Sequence, residues 1–571
     1  MTLWLKRTLA LALFVGFAAC SDDDDPTGVS LSAPTGLAAT PASLTSIDLA
    51  WNAVTGATGY LLQRADPATP GTFNTIGGGV LAATNYTDNV NAGDTYGYRV
   101  AAVSGSDTSA FSAAISAATN LATLSGNITT SMTLTANTVW KLSGYVKVQN
   151  GATLTIEPGT RIIGDTAVLG SSLWILRGAK IVANGTAAAP IVFTSARSAG
   201  NRKAGDWGGI IIIGNGQINR TGVGILTEGG AAGEAVDYSG GTAAGTLNDS
   251  SGVLRYVRIE FAGFDVSNGG GQELNALSMY AVGRKTVLEY VQALMGLDDG
   301  FEWWGGGVDG RYLISYEMGD DHFDWSEGYQ GRNQFLISFQ STRNPVVPGV
   351  GGPGSDPRGF EGDGCDPGVS GCSLTDNSAS TPYSMPVFAN FTMIGPGTTI
   401  AGYPTNSAGG VWRRGTGGTF MNGIIARYRG VGISITDRWT DSLFIASNGR
   451  DSLQISNILV TQSAQPFDSV HTPGGTSGFA ISTNWPAPRL ATMQTFPVTV
   501  LADTLLGFNL TGATLDFTPK AGSPATAGGG TLPAARVGGF FGGTMANTAY
   551  LGAGEPGGAK WWTGWTLYAT N

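Results

Sequence analysis

Hydrophobic and polar residues alternate in short runs along the first part of the chain. Residues 46–51 (SIDLAW), 59–65 (GYLLQRA) and 95–103 (TYGYRVAAV) show this pattern, and turn-forming residues separate the runs. A period of two is typical of strands that bury one face. The pattern therefore predicts a small sandwich of β-strands over residues 32–119.

The pattern changes at about residue 120, where short apolar strands recur between turns that contain Gly and Asn. Three strand-and-turn runs, EYVQALMGLDD, RYLISYEMGDD and NQFLISFQST, begin at Glu289, Arg311 and Asn333, which are 22 residues apart each time. A fixed interval of this kind indicates a solenoid. Coils of about three strands, each hydrogen-bonded to the next at about 4.8 Å, predict a parallel β-helix for residues 120–571.

Residues 32–119 resemble a fibronectin type III domain over their whole length. The resemblance rests on Leu49-x-Trp51, Gly59-Tyr60, Tyr86-Thr87-Asp88 and Tyr96-x-Tyr98-Arg99-Val100. It implies that Trp51 packs in the core and that Tyr96 is the tyrosine corner. Domains of this type serve as spacers or binding units, so the resemblance assigns no activity.

Residues 120–571 resemble a family of bacterial lipoproteins with a right-handed parallel β-helix. The segments that carry this resemblance are TVWKLSGYVKVQNGATLTIEPGT, GDWGGIIIIG, DDGFEWWGG, DDHFDWSEGYQGRNQF and the closing WWTGWT. The predicted fold class is all-β: a fibronectin type III sandwich followed by a right-handed parallel β-helix. We expect the closing tryptophans to form a buried C-terminal cap.

The first residues have the layout of an export signal. Residues 1–19 contain a basic pair and then an apolar run that is too short to span a bilayer. They lead into FAAC, which resembles the bacterial lipobox and implies that Cys20 is the lipidated N-terminus of the mature protein. Residues 20–31 then form the lipidated cysteine and an acidic tether. This organisation predicts an exported protein, lipid-anchored to the bacterial outer membrane and exposed at the surface.

Composition narrows the choice of partners. The formal charge is −10 with only 31 basic residues, which argues against nucleic acid as a partner. We expect the protein to contact the membrane through the N-terminal lipid. With two histidines in 571 residues, a histidine-rich zinc site is not expected.

Two acidic-aromatic segments provide the candidate chemistry. DDGFEWWG (residues 298–305) is followed 22 residues later by DDHFDWSE (residues 320–327). One coil apart, Phe301 and Trp303 stack on Phe323 and Trp325 as inward ladders, and the intervening acids point outward, one above the other. At about 5 Å and an effective dielectric constant near 20, each stacked pair of carboxylates costs roughly 3 kcal/mol. A compensating interaction is therefore expected.

Three compensating interactions remain open from the sequence. The carboxylates could bind Ca²⁺, with the ligand set Asp298, Glu302, Asp320, Asp324 and Glu327. One acid of a pair could stay protonated and act in general acid–base catalysis, with the set Asp298, Asp299, Asp320, Asp321 and Asp324. The aspartates could instead cap the amides of turns. Apart from Ca²⁺ no cofactor is predicted.

Arginines supply the candidate ligand-binding residues. Segment GDDHFD resembles the acidic-pair motif of polygalacturonase-like hydrolases, but no Gly-His-Gly follows on the next coil. On that coil Arg332 could bind an anionic sugar. Four further arginines on neighbouring coils could bind carboxylate or sulfate, or could balance the acidic surface: Arg413, Arg414, Arg427 and Arg429.

A long loop interrupts the strand pattern and contains the remaining cysteines. Cys365 and Cys372 are the only cysteines besides Cys20. Outside the cytoplasm cysteines can pair, so we predict a disulfide between them.

These observations lead to two hypotheses about function. The first is a surface lipoprotein whose β-helix is a non-catalytic module that binds polysaccharide or a partner protein, with a Ca²⁺ site. The second is a lyase or hydrolase that acts on acidic polysaccharide through the stacked acids. An enzyme requires a cleft over the acids and a nearby Arg or Lys, so the tertiary structure discriminates between them.

Overall fold

The computed structural model describes residues 31–568, with gaps at 44, 92–93, 198–199, 230–233, 240–246, 268–271, 367–368, 370, 373–379, 398–399, 445–451, 468–489 and 512–513. The predicted signal peptide, Cys20, most of the acidic tether and His471 lie outside the described residues. The described helices are short: Arg438–Phe444, Ala502–Leu506 and Ala534–Val537, with one 3-10 turn at Pro524–Thr526. None of the helices in this part of the chain has the length and apolar character needed to cross a bilayer.

The N-terminal strands form two sheets. The first contains β1 (Ala38–Ser43), β2 (Ser46–Ala50) and β5 (Asn85–Asn89); the second contains β3 (Gly59–Ala65), β4 (Phe73–Leu81), β6 (Thr95–Ser104), β7 (Asp107–Thr108) and β8 (Ile115–Ala118). Trp51 is buried and packs edge-on against Tyr60, with ring centroids 5.5 Å apart. The core role predicted for Trp51 agrees with this packing.

The remaining strands form coils with three parallel sheets, which we call A, B and C. Sheet A contains β14 (Ser172–Ile175), β17 (Ile210–Ile213), β21 (Leu277–Tyr280), β23 (Phe301–Trp304), β25 (Phe323–Ser326), β27 (Arg358–Asp363), β29 (Ala408–Arg413), β31 (Val431–Ile435) and β33 (Gln465–Phe467). Sheet B begins with β10 (Met132–Leu134), β12 (Thr153–Ile156) and β15 (Lys180–Asn184), and sheet C with β9 (Asn120–Ile128), β11 (Thr138–Val148), β13 (Arg161–Gly164) and β16 (Ile191–Ser195).

From the next coil onward one bent strand serves both sheets B and C. These strands are β18 (Gly252–Glu260), β22 (Val287–Leu294), β24 (Asp309–Tyr316), β26 (Arg332–Phe339), β28 (Val387–Ile394), β30 (Gly418–Ala426) and β32 (Leu453–Thr461), and β34 (Gln494–Thr495) pairs with the last of them. At each bend one residue has a positive φ: Tyr256, Tyr290, Tyr312, Phe335, Asn390, Asn422 and Asn457. The four aromatic corner residues stack on one another, with the rings of Tyr256 and Tyr290 4.4 Å apart, and this contact offsets part of the strain of a left-handed backbone.

The interior of the coils is filled by columns of apolar side chains. Leu277, Phe301, Phe323 and Phe360 occupy equivalent positions on successive strands of sheet A, and all four are fully buried. Fully burying one such side chain contributes about 1.5–3 kcal/mol. The column confirms that residues one coil apart stack in register.

The C-terminal segment lies along the side of the coils rather than across their end. Trp562 and Trp565 are buried in a cluster with Leu294, Ile337 and other outward side chains of sheet C. Arg258, near the start of the bent strands, donates a hydrogen bond to the carbonyl of Trp565. The expected end cap is therefore corrected to a lateral cover, which buries the apolar outer face of sheet C.

Two antiparallel pairs lie outside the coils and matter for the sites described below. Strands β19 (Phe264–Asp265) and β20 (Glu273–Leu274) pair beside sheet A. Strands β35 (Gly538–Phe540) and β36 (Gly543–Thr544) form a hairpin in the C-terminal segment.

The predicted disulfide between Cys365 and Cys372 is confirmed, with the two Cα atoms 5.7 Å apart. We expect a double Cys→Ser variant to lose about 2–3 kcal/mol of unfolding free energy, because the bridge restricts a short loop of the unfolded chain. Thermal melting of the full chain measures this loss. A reductant should lower the melting temperature of the parent chain and leave that of the variant unchanged.

Candidate functional site

The turns between sheets C and A bring the paired aspartates together. Asp298 and Asp299 lie in the turn before β23, and Asp320 and Asp321 lie in the turn before β25. A Cβ atom at Gly319 would lie 1.6 Å from the carbonyl oxygen of Leu297, so the second turn can pack on the first only with glycine there. Close packing of the turns holds the two aspartate pairs one above the other.

The register of sheet A brings further acids into the same column. Glu302 lies opposite Asp324, and Asp324 lies opposite Glu361. The rings of Phe301 and Phe323 stack with centroids 5.3 Å apart. The predicted vertical register of the two acidic segments is therefore confirmed.

Eight acids influence one another at this place, and we call them the carboxylate cluster: Glu228, Glu273, Asp298, Asp299, Glu302, Asp320, Asp321 and Asp324. Two triads within it have carboxylate oxygens within 4.8 Å of one another: Asp298, Asp299 and Asp320, and Asp299, Glu302 and Asp324. Asp299 belongs to both triads.

Burial raises the pKa values of the cluster, because the low-dielectric surroundings penalise the charged form. It raises the pKa of Asp320 to about 6 and that of Asp324 to about 7. Burial, and then the charge of a neighbouring acid, raises the pKa of Glu273 to about 7 and that of Glu228 to about 8. The same two causes place the pKa of Asp299 well above its usual range. Without a compensating positive charge, full ionisation of the cluster is unfavourable.

Hydrogen bonds satisfy part of the cluster. Asp299 accepts a 2.7 Å bond from the backbone amide of Asp321, and Asp321 accepts a 2.6 Å bond from the amide of Arg358. Turn capping therefore explains why acidic side chains occur at Asp299 and Asp321. One oxygen each of Asp320 and Asp324, Oδ1 in both, is buried without a hydrogen-bond partner in the described part of the chain. Capping leaves those two oxygens unexplained.

Glu302 and Asp324 alternate with the interior side chains Phe301 and Phe323, as the predicted outward direction requires, but both acids are covered. Glu302 is 8% exposed and Asp324 is 9% exposed. On one side Glu228 donates its amide to the hydroxyl of Tyr280 at 3.1 Å, which fixes an inserted segment beside sheet A. On the other side Gly354 packs directly on the carboxylate of Asp320. Inserted segments, rather than the coils themselves, enclose the acids.

Glu327 does not belong with the predicted metal ligands. Its carboxylate pairs with Arg220 at 2.9 Å and accepts a 2.7 Å hydrogen bond from the hydroxyl of Tyr238. Glu327 is a corner residue with φ 54°, and its partners Arg220 and Tyr238 lie in the insertion between β17 and β18 that also contains Glu228. The metal assignment of Glu327 is therefore corrected to a structural ion pair.

Arg332 is likewise internal rather than free to bind a sugar. It is 5% exposed and donates from both Nε and Nη2 to the carboxylate of Asp309. Its third nitrogen donates to the carbonyl of Gly538. All three nitrogens are thus used inside the protein.

The predicted arginine patch is divided among three environments. Arg413 and Arg414 form ion pairs with Asp363, and Arg413 also pairs with Glu361, which agrees with the charge-balancing interpretation. Although burial opposes its charge, Asp363 raises the pKa of Arg413. Arg429 donates to the carbonyls of Ile400 and Tyr403.

Arg427 lies apart from the other three arginines of the patch. It lines a separate cavity of about 350 Å³ with Asp503.

A depression of about 820 Å³ lies on the outer side of β27, β29 and β31. Its charged lining residues are Asp356, Arg358, Arg413, Arg414, Arg429 and Asp437, and we call it the arginine depression. No member of the carboxylate cluster lines it, although Arg358 lies within 3.5 Å of Asp321. The depression and the cluster are therefore neighbours on one sheet without a shared opening.

His322 lies beneath the cluster and does not act as a base there. It is buried, and its Nδ1 lies 2.8 Å from the hydroxyl of Ser315. Burial lowers the pKa of His322 to about 3, so the ring is neutral at ordinary pH.

Three residues of the site were missed from the sequence. Glu228 and Glu273 lie in segments inserted between coils, outside the 22-residue repeat, and no sequence signal points to them. Arg358 begins β27 after an insertion that widens the spacing of equivalent residues, so that Phe360 follows Phe323 by 37 residues. An arginine at the start of a strand that also contains acidic side chains was the only available signal.

Comparison with known proteins adds family context. The model of the pectate-lyase-like beta helix domain matches residues 126–482. A poly(3-hydroxybutyrate) depolymerase from Ralstonia pickettii is 41% identical over 126 residues, which are 22% of this chain and 22% of that protein. The chain thus matches about a fifth of that relative.

Solved structures match both parts of the chain. An Fn3-like protein from Clostridium thermocellum is 37% identical, with 15% of this chain and 88% of that chain covered and a TM-score of 0.14. Pectate lyase PelI from Erwinia chrysanthemi in complex with tetragalacturonic acid is 10% identical, with 82% and 100% covered and a TM-score of 0.15. The predicted fold class is confirmed by the stacked parallel strands, the two N-terminal sheets and the family match.

Proposed function

The chain belongs to the pectate-lyase-like beta helix family, and we propose that it binds an acidic polysaccharide in the arginine depression without cleaving it. The observation that supports this most directly is the position of four guanidinium groups around one open depression that no member of the carboxylate cluster lines. The family is named after pectate lyase, and pectate is a polymer of acidic sugars.

Guanidinium groups suit such a ligand because each presents five N–H donors in a planar fork that matches a carboxylate. The side chain of Arg414 is 32% exposed and that of Arg413 is 23% exposed, so both guanidinium groups lie partly at the surface of the depression. Asp363 and Glu361 hold these side chains in place from below. Preorganised donors lose little conformational entropy when a sugar carboxylate binds.

Two features argue against cleavage at this site. General acid–base catalysis requires an acid within hydrogen-bond reach of the reacting atom, and the acids of the cluster do not line the depression. The two carboxylates that do line it are used within the protein: Asp356 pairs with Arg358, and Asp437 accepts hydrogen bonds from the amides of Trp439 and Thr440. Arginine is the only basic side chain among the described residues that line it, and Asp363 holds Arg413 in its charged form. A group that stays protonated is a poor general base.

For the carboxylate cluster we propose Ca²⁺ binding by Asp298, Asp299, Glu302, Asp320 and Asp324. Two observations support Ca²⁺ binding. The available donors are all carboxylate oxygens, which a hard cation prefers. Asp320 and Asp324 each have a buried oxygen without a hydrogen-bond partner among the described residues. Bound Ca²⁺ would neutralise the stacked acids and hold adjacent coils of sheet A together.

We further propose that the protein is exported, lipid-anchored at Cys20 to the outer membrane and exposed at the surface. The disulfide between Cys365 and Cys372 supports an oxidising compartment. A surface position would give the depression access to an external polymer.

Polygalacturonate binding tests the proposed function. Replacement of Arg414 by glutamine is expected to weaken binding of the full chain about tenfold, because a charge-assisted hydrogen bond is lost. Isothermal titration calorimetry with polygalacturonate, and with a neutral glucan as the comparison polymer, measures the change. Arg311→Gln is the matched control, because its side chain is 33% exposed and lies outside the depression.

The same samples also decide between binding and cleavage. New reducing ends or unsaturated sugars during incubation would support the alternative of a lyase or hydrolase. Equal affinity for the acidic and neutral polymers would contradict the proposal.

A further inference from the structure

A second polar cavity, of about 460 Å³, lies where the sheet B arms of β22, β24 and β26 begin. Arg284, Lys285, Asp309 and Arg332 line it from the coils, and the β35–β36 hairpin closes it from the C-terminal segment. Its residues belong to a different sheet from the arginine depression. No function described above uses it.

The charges in this cavity do not balance. Arg332 and Asp309 neutralise each other through their paired hydrogen bonds. Asp309 lies 4.0 Å from Nε of Arg284, which is too long for a hydrogen bond. Lys285 is exposed, and within the described part of the chain it has no ion pair. Asp309 is the one carboxylate beside three basic side chains in this lining, so the cavity has a net charge of about +2.

Arg284 also has a donor without an acceptor. Its Nη2 donates to the carbonyl of Gln330 at 2.8 Å, whereas its Nε is buried and has no hydrogen-bond partner among the described residues. A buried N–H group without an acceptor is unfavourable, and an oxygen ligand in the cavity would satisfy it.

The hairpin leaves room for such a ligand. Cβ atoms added at Gly538 and Gly542 would meet no other atom within 4 Å. Gly542 has φ 79°, a conformation that glycine adopts readily. The cavity thus has a cationic wall from the coils and an open backbone wall from the hairpin.

We propose that this cavity binds a small oxyanion, a carboxylate, sulfate or phosphate group, through Arg284 and Lys285. The planar guanidinium presents adjacent N–H donors to two oxygens, and the lysine adds a second charge. The anion would also connect the coils to the C-terminal segment, because both line the cavity. This site is independent of polysaccharide binding in the arginine depression.

The test is isothermal titration calorimetry of the full chain with inorganic phosphate and, separately, with monomeric galacturonate. We expect saturable binding of at least one probe, weakened about tenfold in Arg284→Gln and less strongly in Lys285→Gln. Lys203→Gln is the charge-matched control, because Lys203 is an exposed lysine outside this cavity. Binding of phosphate alone would assign a free inorganic anion, and binding of galacturonate would assign a sugar carboxylate.

A second variant keeps the test decisive if Arg284→Gln folds poorly. Arg284→Lys retains the charge and loses the planar fork, so its affinity should lie between those of the parent chain and Arg284→Gln. Absence of saturable binding of both probes by the parent chain would overturn the proposal. Unchanged affinity in both Arg284 variants would overturn it as well.

Discussion

Replacement of Arg332 by glutamine is expected to lower the free energy of unfolding by about 3–5 kcal/mol, because it leaves a buried carboxylate without its partner. Asp309 is 3% exposed, and once Arg332 is removed its nearest cation is Arg284 at 4.0 Å. Chemical denaturation followed by tryptophan fluorescence measures the loss. Polygalacturonate affinity should remain unchanged, since Arg332 does not line the arginine depression.

Two further variants show whether the lost ion pair is the cause. Arg255→Gln removes an arginine from Glu289, which keeps Arg311, so the loss should stay below about 1 kcal/mol. The double variant Arg332→Gln with Asp309→Asn should recover most of the stability, because no buried charge then lacks a partner. Reduced sugar binding at unchanged stability would instead support the role that the sequence suggested for Arg332.

Ca²⁺ is expected to raise the melting temperature at pH 8 relative to chelator, by about 3 °C for one ion at a concentration 100-fold above its Kd. The raised pKa values of Asp320, about 6, and Asp324, about 7, mean that protonation stabilises the fold when no cation is present. That stabilisation is complete below about pH 4 and is lost as pH rises through 6–7. In chelator the contribution of the cluster to stability should therefore fall between pH 5 and pH 8, and Ca²⁺ should restore it.

Asp324→Asn separates cation binding from simple turn capping. In chelator at pH 8 the variant should melt above the parent chain, because an unpartnered buried charge is removed, whereas its response to Ca²⁺ should shrink. Asp165→Asn is the control: Asp165 is also 9% exposed but is paired with Lys141, so its loss should destabilise the fold with or without Ca²⁺. A parent chain whose melting temperature does not respond to Ca²⁺ would contradict the cation proposal.

Much of the site's backbone arrangement could be predicted from the sequence, because a repeat constrains position. The 22-residue interval placed Glu302 over Asp324 and Phe301 over Phe323, as the register has them. The close pairing of Cys365 with Cys372 also followed from spacing and compartment. In each case the two partners are either close together in the sequence or one coil apart in the same repeat.

Assignments of side-chain partners were less successful. Glu327 lies at the end of the second acidic segment, but it forms an ion pair with Arg220 rather than binding a metal. Arg332 lies on the next coil, but it pairs with Asp309 rather than facing a sugar. Glu228 and Gly354 belong to inserted segments that fold over the carboxylate cluster, and this cover was not predicted. Insertions do not follow the period of the coils, so their destinations cannot be read from spacing.

The sequence by itself determined the all-β class, the stacking of the coils and the vertical register of the two acidic segments, because alternating hydrophobicity and a constant interval are local properties of the chain. Only the tertiary structure decided which acids are covered, which arginines remain open and where the closing tryptophans pack. Those outcomes depend on contacts between segments far apart in sequence, such as Arg258 with Trp565. The free energy of burying a charged side chain depends on those distant neighbours. The reactions and ligands available to that side chain depend on them too.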